Sequence, residues 1–199
     1  MPRVLLVRHG ESTWNAEGRW QGQADPELSE LGMRQAVTAA RSSQLRGVCG
    51  LWTSDLQRAR ASADLVAGEL DVAVTTESLL RERDAGAWTG LTTAEIHDAY
   101  PGFLGSGRRP AGWEDDATVL DRALAAIVSI AAHLDGGDAL AVSHGGVIRV
   151  VERHLGADPQ PIPNLSGRWL AVSDGAVMLG ERVELLDPDD VEVTIPGQI

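Results

Sequence analysis

The chain opens on an uninterrupted apolar run, Val4-Leu5-Leu6-Val7, flanked by Arg3 and Arg8. A short continuous run, β-branched in part, predicts a strand buried on both faces over Arg3–Arg8. Gly10–Leu28 is polar and carries Gly18, Gly22 and Pro26, which predicts a long loop. Ser29 stands where a helix cap belongs and opens a helix to about Ser43. Val48–Trp52 reads as a second strand. Thr53 or Ser54 caps the next helix, whose Leu56, Ala59, Ala63, Val66 and Leu70 form one stripe. Val72–Thr75 predicts a third short strand.

After Leu79-Leu80 the pattern turns irregular through Gly86 and Gly90. Thr92 opens a short helix to about Tyr100, and Pro101–Gly112 is rich in glycine and proline. Asp115 or Asp116 begins a long alanine-rich helix to about His133. Asp138–Val142 is a strand, followed at once by Gly145-Gly146 and a helix to His154; two or three strands close the chain between Arg168 and Leu186. This alternation predicts an α/β fold, a three-layer α/β/α sandwich with a largely parallel central sheet. In such sheets, sites gather beyond the carboxyl ends of the strands.

Composition narrows the choice. A chain of 199 residues is expected to form a single domain, 1–199. A net charge of −12 and a pI near 4.7 argue against nucleic-acid binding, which needs a basic footprint. They leave room for an anionic small substrate, because a few clustered arginines make a positive pocket in an acidic protein. No apolar run approaches the roughly 18 residues of a membrane span. The opening run is too short for a signal-peptide core and has no small-residue cleavage site, so a cytoplasmic protein is expected. Cys49 is alone, so no intrachain disulfide can form and no Cys-rich zinc pattern exists.

Four stretches fall at or near the expected sheet edge: Arg8-His9-Gly10, Ser54-Asp55-Leu56-Gln57-Arg58, Leu80-Arg81-Glu82 and Ser143-His144-Gly145-Gly146. Singly, each has a bland reading. His9 alone reads as a hydrogen-bonded structural histidine, Arg58 as a solvated helix residue paired with Asp55, and Glu82 as surface charge among Arg81, Arg83 and Asp84. Together, two histidines and two arginines make a cradle for a tetrahedral dianion. Arginine forks match phosphate oxygens and stay charged. A neutral imidazole can attack phosphorus, and a nearby carboxylic acid can protonate the leaving oxygen.

From Val4 to about Val177 the chain closely resembles the histidine phosphatase superfamily, the phosphoglycerate mutase-like proteins. "LLVRHGESTWNAEGRWQGQADPELSELG" is similar to the family's opening signature; "TSDLQRARASA", "LLRERDAGAWTGLT", "LAVSHGGVIR" and "IPNLS" resemble later blocks, in the family's order. The resemblance implies that His9 is the phospho-accepting nucleophile and that Arg8, Arg58 and His144 bind the transferred phosphoryl group. It gives Glu82 the role of proton donor and acceptor, and Asn15 that of a further phosphate donor. Gln21 and the backbone around Gly22 and Gly145 complete the implied pocket. No metal or organic cofactor is implied.

Within the family, about 60 residues separate Glu82 from His144, shorter than the pattern of the mutases, which carry a long insertion there. Glu82-Arg83-Asp84-Ala85-Gly86 also stands where the mutases usually show Arg-His-Tyr-Gly. Both departures favour a phosphatase and neither identifies its substrate; the expected function is a metal-independent phosphomonoesterase acting on a small phosphorylated metabolite. A cofactor-dependent phosphoglycerate mutase and a non-catalytic phosphate-binding relative are the alternatives, and a homodimer is a candidate assembly. Residues at about 92–118 form the expected substrate cap, where Gly112-Trp113-Glu114 replaces the Gly-Glu-Ser of many relatives and Arg108, Arg109 and Trp113 are candidate substrate contacts. A different class, the serine esterase, is suggested by Ala141-Val142-Ser143-His144-Gly145, one residue from a nucleophile elbow. It lacks the required downstream order of acid and then histidine.

Overall fold

Strands and helices alternate along the chain, and the strands share one sheet. The computed structural model describes residues 1–158 and 160–197. The strands are β1 (Arg3–Arg8), β2 (Val48–Thr53), β3 (Val74–Thr76), β4 (Asp138–Ser143), β5 (Ser166–Ser173) and β6 (Ala176–Glu184), in the order β3-β2-β4-β1-β5-β6. The β3, β2, β4 and β1 neighbours pair in parallel; β5 runs antiparallel to both β1 and β6. The β5–β6 reversal follows from its turn, where Asp174 and Gly175 both take positive φ (50° and 77°), the backbone of a tight hairpin.

Around the sheet lie α1 (Thr13–Ala16), α2 (Glu30–Ala39), α3 (Gln57–Leu70), α4 (Thr93–Ala99), α5 (Phe103–Ser106), α6 (Asp116–Ala132) and α7 (Gly145–His154). Successive strand side chains point to opposite faces. Val4 and Leu6 join the core beneath α6 and α7, whereas Leu5 and Val7 join the core beneath α2 and α3. A continuous apolar run is therefore what β1 requires, and the α/β sandwich follows. No helix among the described residues is long and apolar enough to cross a membrane.

Several element bounds differ from expectation, each for a local reason. The expected loop Gly10–Leu28 contains α1, nucleated by a capping box in which Ser12 Oγ accepts the Asn15 N–H and Asn15 Oδ1 accepts the Ser12 N–H. Helix α2 stops at Ala39, short of Ser43, because a separate 3₁₀ turn at Ser43–Leu45 follows. Strand β2 continues through Thr53, so neither Thr53 nor Ser54 caps α3; Gln57 N–H donates instead to Asp25, from the distant loop. Strand β3 starts at Val74 rather than Val72, since Asp71 turns left-handed (φ 54°) and Val72 N–H still closes the helix onto Ala67. Asp115 caps α6 through the Thr118 N–H, α5 interrupts the Gly/Pro-rich stretch, and two strands close the sheet.

Register positions the site. Arg8 lies opposite Ser143 on β4, and Thr53 on β2 lies opposite Val142. The ladder continues past the strands, with His9 N–H donating to the Ser143 carbonyl (3.0 Å) and Ser54 N–H to the Val142 carbonyl (2.9 Å). Insertion of β4 between β1 and β2 thus brings three strand ends to one edge.

Candidate active site

His9 leaves β1 and is almost fully buried. Its Nδ1 lies 2.6 Å from the Gly10 carbonyl. A carbonyl can only accept, so Nδ1 carries the proton and Nε2 keeps its lone pair. Arg58 Nε donates to that Nε2 at 3.2 Å, consistent with the same tautomer. Burial, with Arg58 and Arg8 adding positive charge, holds the imidazole well below the ordinary histidine range, so it is neutral at pH 7. Asn164 fixes the segment from behind, donating to the His9 carbonyl at 2.8 Å.

Arg58 sits in the first turn of α3 and reaches under the loop of residues 21–25. Its terminal nitrogens donate to the Ala24 and Gly22 carbonyls at 2.8 and 2.9 Å. The expected Asp55 partner belongs to Arg81 instead, through a two-point contact, so the solvated reading of Arg58 is overturned. Arg8 donates one terminal nitrogen to the Ile162 carbonyl at 2.9 Å. Burial pulls the Arg8 guanidinium down to about 9, with Glu82 opposing and Arg149 and Arg58 assisting. Burial likewise pulls Arg58 to about 10, against Glu82 and Asp25. Both remain charged at neutral pH.

His144 caps α7 at the end of β4 and stands edge-on to His9, ring centres 5.1 Å apart. It is fully buried, and burial followed by Arg58 and His9 keeps it neutral. Neither of its ring nitrogens has a hydrogen-bond partner, and Arg8 Nε and Asn15 Nδ2 are also buried without one. Glu82 is buried rather than a surface charge. Its oxygens accept the Arg83 N–H (2.7 Å) and the Gly146 N–H (3.1 Å). A Cβ at Gly146 would run into Glu82 Oε1, so the second glycine of the pair is required for this approach.

Arg8, His9, Asn15, Gln21, Gly22, Arg58 and Glu82 line one cleft, with Trp20, Arg83 and Ala85 at its walls. Gly145 packs against the Arg8 guanidinium. The residues expected to carry the phosphoryl chemistry therefore lie in or against one place, whereas the cap candidates Arg108, Arg109 and Trp113 do not line it. Burial of donors without acceptors is costly, and the shape and charge of this cleft suit a tetrahedral anion. Among the described residues no three His, Cys, Asp or Glu side chains converge to hold a metal ion.

Sequence reasoning gave no site role to Arg83, Asn164 or Arg122, and named Gly146 and Glu114 without foreseeing their contacts. Arg122, from α6, donates to the Leu79, Arg81 and Glu82 carbonyls, and Glu114 accepts from Arg122 and from the Asp84 N–H. Glu114 is thus bound inward, toward Arg122 and the Asp84 backbone. Asn164, Arg83 and Gly146 each lie within a quoted block, "IPNLS", "LLRERDAGAWTGLT" and "LAVSHGGVIR". Of the cap candidates, Arg108 rests over Phe103 (4.3 Å), whereas Arg109 stacks over Trp113 (5.0 Å) and both line a second, outer cleft. The esterase alternative fails in space. Ser143 is buried and donates to the Leu80 carbonyl, and Glu152 is held by Arg168 and Arg182.

Comparison with known proteins agrees with this geometry. The model of the histidine phosphatase superfamily (branch 1) matches residues 4–175. The chain is 36% identical over 193 residues to the metal-independent phosphoserine phosphatase of Arabidopsis thaliana, covering 92% of this chain and 79% of that protein. It is 32% identical over 197 residues to glucosyl-3-phosphoglycerate phosphatase of Mycobacterium tuberculosis, covering 86% and 88%. A solved mycobacterial glucosyl-3-phosphoglycerate phosphatase complexed with VO3 superposes with a TM-score of 0.76 at 30% identity, covering 85% of this chain and 92% of that one.

Proposed function

The chain belongs to the histidine phosphatase superfamily, branch 1, and with phosphatases among its relatives it is a phosphatase; we propose that it hydrolyses a small phosphorylated metabolite, without a metal, through a phosphohistidine on His9. The observation that carries this reading is the neutral His9 whose unprotonated Nε2, held by the Arg58 Nε–H, sits in a cleft beside unpartnered donors.

In the first step the Nε2 lone pair attacks phosphorus, the P–O bond to the alcohol breaks, and Glu82 gives its proton to the leaving oxygen. The Nδ1–H bond to Gly10 supports the charge that the ring acquires. Arg8, Arg58 and His144 hold the equatorial oxygens, with Asn15 as a further donor, where a metal would otherwise neutralise charge. In the second step water attacks phosphorus, Glu82 takes the water's proton, and the P–N bond breaks to release phosphate and neutral His9. Gln21, Gly22 and Gly145 shape the floor. Residues 1–199 act as one catalytic unit with residues 92–118 as its substrate cap; the overlying α4 and α5 and the Trp113 side chain support that assignment. A lone thiol and a small-metabolite substrate fit a cytoplasmic enzyme.

Rapid mixing with substrate, followed by quenching without acid, tests the central step. One phosphoryl group is expected on His9, and His9→Ala is expected to lose turnover by orders of magnitude. Phosphate on Ser143 or on no residue, or activity lost to a chelator and restored by a divalent ion, would overturn the reading. Transfer between phosphoglycerate positions faster than release to water would make the enzyme a mutase.

A further inference from the structure

Two peptide units follow His9, and each is tied at both ends. In the first, the His9 carbonyl accepts from Asn164 Nδ2 (2.8 Å) and the Gly10 N–H donates to Ser62 Oγ (3.0 Å). In the second, the Gly10 carbonyl accepts the His9 Nδ1–H and the Glu11 N–H donates to Gln35 Oε1 (2.9 Å). Gln35 reaches this point from α2, and both it and Asn164 are buried. Their partners settle how the two side-chain amides are turned. A carbonyl only accepts, so Asn164 presents its NH2 to His9; an N–H only donates, so Gln35 presents its oxygen to Glu11. The NH2 of Gln35 and the oxygen of Asn164 are then left to find partners elsewhere.

Both find them on the strap that follows β6, where Val191 and Val193 pack against the core beneath α2 and α3. Gln35 Nε2 donates to the Glu192 carbonyl (2.9 Å) and to Thr194 Oγ1 (3.1 Å), and Thr194 Oγ1 donates to Asn164 Oδ1 (2.8 Å). The Thr194 carbonyl also accepts the Asn164 N–H at 2.9 Å. Joining an NH2 to an amide oxygen takes a group that both accepts and donates, and a hydroxyl does both. The result is a closed circuit of five hydrogen bonds. It runs from His9 Nδ1–H through the Gly10–Glu11 peptide, Gln35, Thr194 and Asn164 back to the His9 carbonyl. Every donor points the same way round, so each bond polarises the next. Thr194 lies beyond the residues 4–175 that match the family, and it does not line the cleft.

Resting on the reading of His9 as the nucleophile, we propose that Thr194 is a positioning residue for it, acting through Gln35 and Asn164 by the hydroxyl that closes this circuit. Through Gln35 it makes the Gly10 carbonyl a stronger acceptor for the Nδ1–H. That keeps the proton on Nδ1 before attack and supports the positive charge of the ring once Nε2 carries phosphorus. Through Asn164 it holds the backbone from which the ring hangs. The strap thereby couples the end of the chain to the reactivity of a residue near its start.

NMR of the full chain with isotope-labelled histidine reads the ring in the resting protein, and His9→Ala identifies the His9 signals by their loss. Thr194→Val keeps the shape of the side chain and removes the hydroxyl. It is expected to move the His9 Nδ1–H resonance upfield as that hydrogen bond weakens, and to lower kcat/KM for p-nitrophenyl phosphate about tenfold. Inhibition by inorganic phosphate, which Arg8, Arg58 and His144 hold, is expected to be unchanged. Thr194→Ser is expected to restore both the resonance and kcat/KM. Should Thr194→Val fail to fold, Thr194→Ala, which removes the same hydroxyl with less bulk, decides in its place. Unmoved ring signals, equal losses in Thr194→Val and Thr194→Ser, or lower thermal stability with wild-type kcat/KM would overturn the proposal and leave the phosphatase reading intact. Turnover retained by His9→Ala overturns the phosphoryl assignment instead, and the ring signals still decide whether Thr194 positions His9.

Discussion

His9 has to be both reactive and fixed, and one contact serves both ends. The Gly10 carbonyl accepts the Nδ1–H and so fixes the tautomer in which Nε2 is unprotonated and accepts from Arg58 Nε–H. Glu82 is held as firmly, by two backbone N–H groups that orient its carboxyl group. Its proton matters most when the leaving group is poor. A sugar or glycerate alkoxide needs that proton as the P–O bond breaks, whereas p-nitrophenolate leaves without it. General-acid help is worth roughly 10²–10⁴-fold where it is needed. Glu82→Gln is therefore expected to lower kcat/KM for an alkyl phosphate by far more than for an aryl phosphate. The comparison must use kcat/KM, since a shared dephosphorylation step can hide the difference in kcat. Parallel losses of similar size would move the acid to another carboxylate, Asp84 being the next candidate.

At the level of elements, the acid is borne on irregular chain and needs an external brace. Residues 79–84 belong to no strand or long helix, so their carbonyls find no ladder partners. Helix α6 supplies the brace, since Arg122 meets the Leu79, Arg81 and Glu82 carbonyls and pairs with Glu114. The pair is mostly buried, and losing one partner of a buried pair costs about 3–5 kcal/mol. Arg122→Met is expected to lower stability by an amount of that order, read by urea denaturation. Because Glu82 shifts when its carbonyl is released, the same variant should lose more kcat/KM on alkyl than on aryl phosphates. A stability loss with equal effects on both substrates would make Arg122 a fold determinant only.

Across the whole molecule, an acidic protein brings buried positive charge to one sheet edge. The sheet edge collects Arg8 and Arg58 with two histidines that burial holds neutral. That arrangement has a thermodynamic signature. In the folded state both histidines bind protons less readily than in the unfolded chain, whose histidines titrate near 6.5. Below pH 6.5 the unfolded chain takes up protons that the folded chain refuses, so stability falls as pH drops and is fully present above that value. Each histidine contributes up to about 1.4 kcal/mol per pH unit in this window. Urea unfolding at pH 7.5, 6.5 and 5.5 should show the decline, and His144→Asn should make it shallower. A flat profile would mean that these rings are not held neutral.

The residues proposed for the phosphoryl site were legible as candidates because each lies at a strand end or in a short motif that local chemistry marks. The run Val4–Val7 specifies a two-faced strand, and Arg8-His9-Gly10 must then follow at its carboxyl edge. The helix stripes and the strand order in sequence specify the sandwich. Element ends were less legible wherever a distant group supplies the cap, as Asp25 does for α3. Sequence alone could not place β4 between β1 and β2, because that order depends on which long-range pairing buries most surface. That placement decides the site, setting His144 beside His9 and diverting Arg58 from its near neighbour Asp55 into the cleft. It also turns Arg149 and Arg153 on α7 toward Arg83, Arg109 and Asp116, which lie far away in the chain. Local pattern fixes which chemistry each stretch carries, whereas only tertiary packing sets the distances, burial and tautomer through which those groups act together.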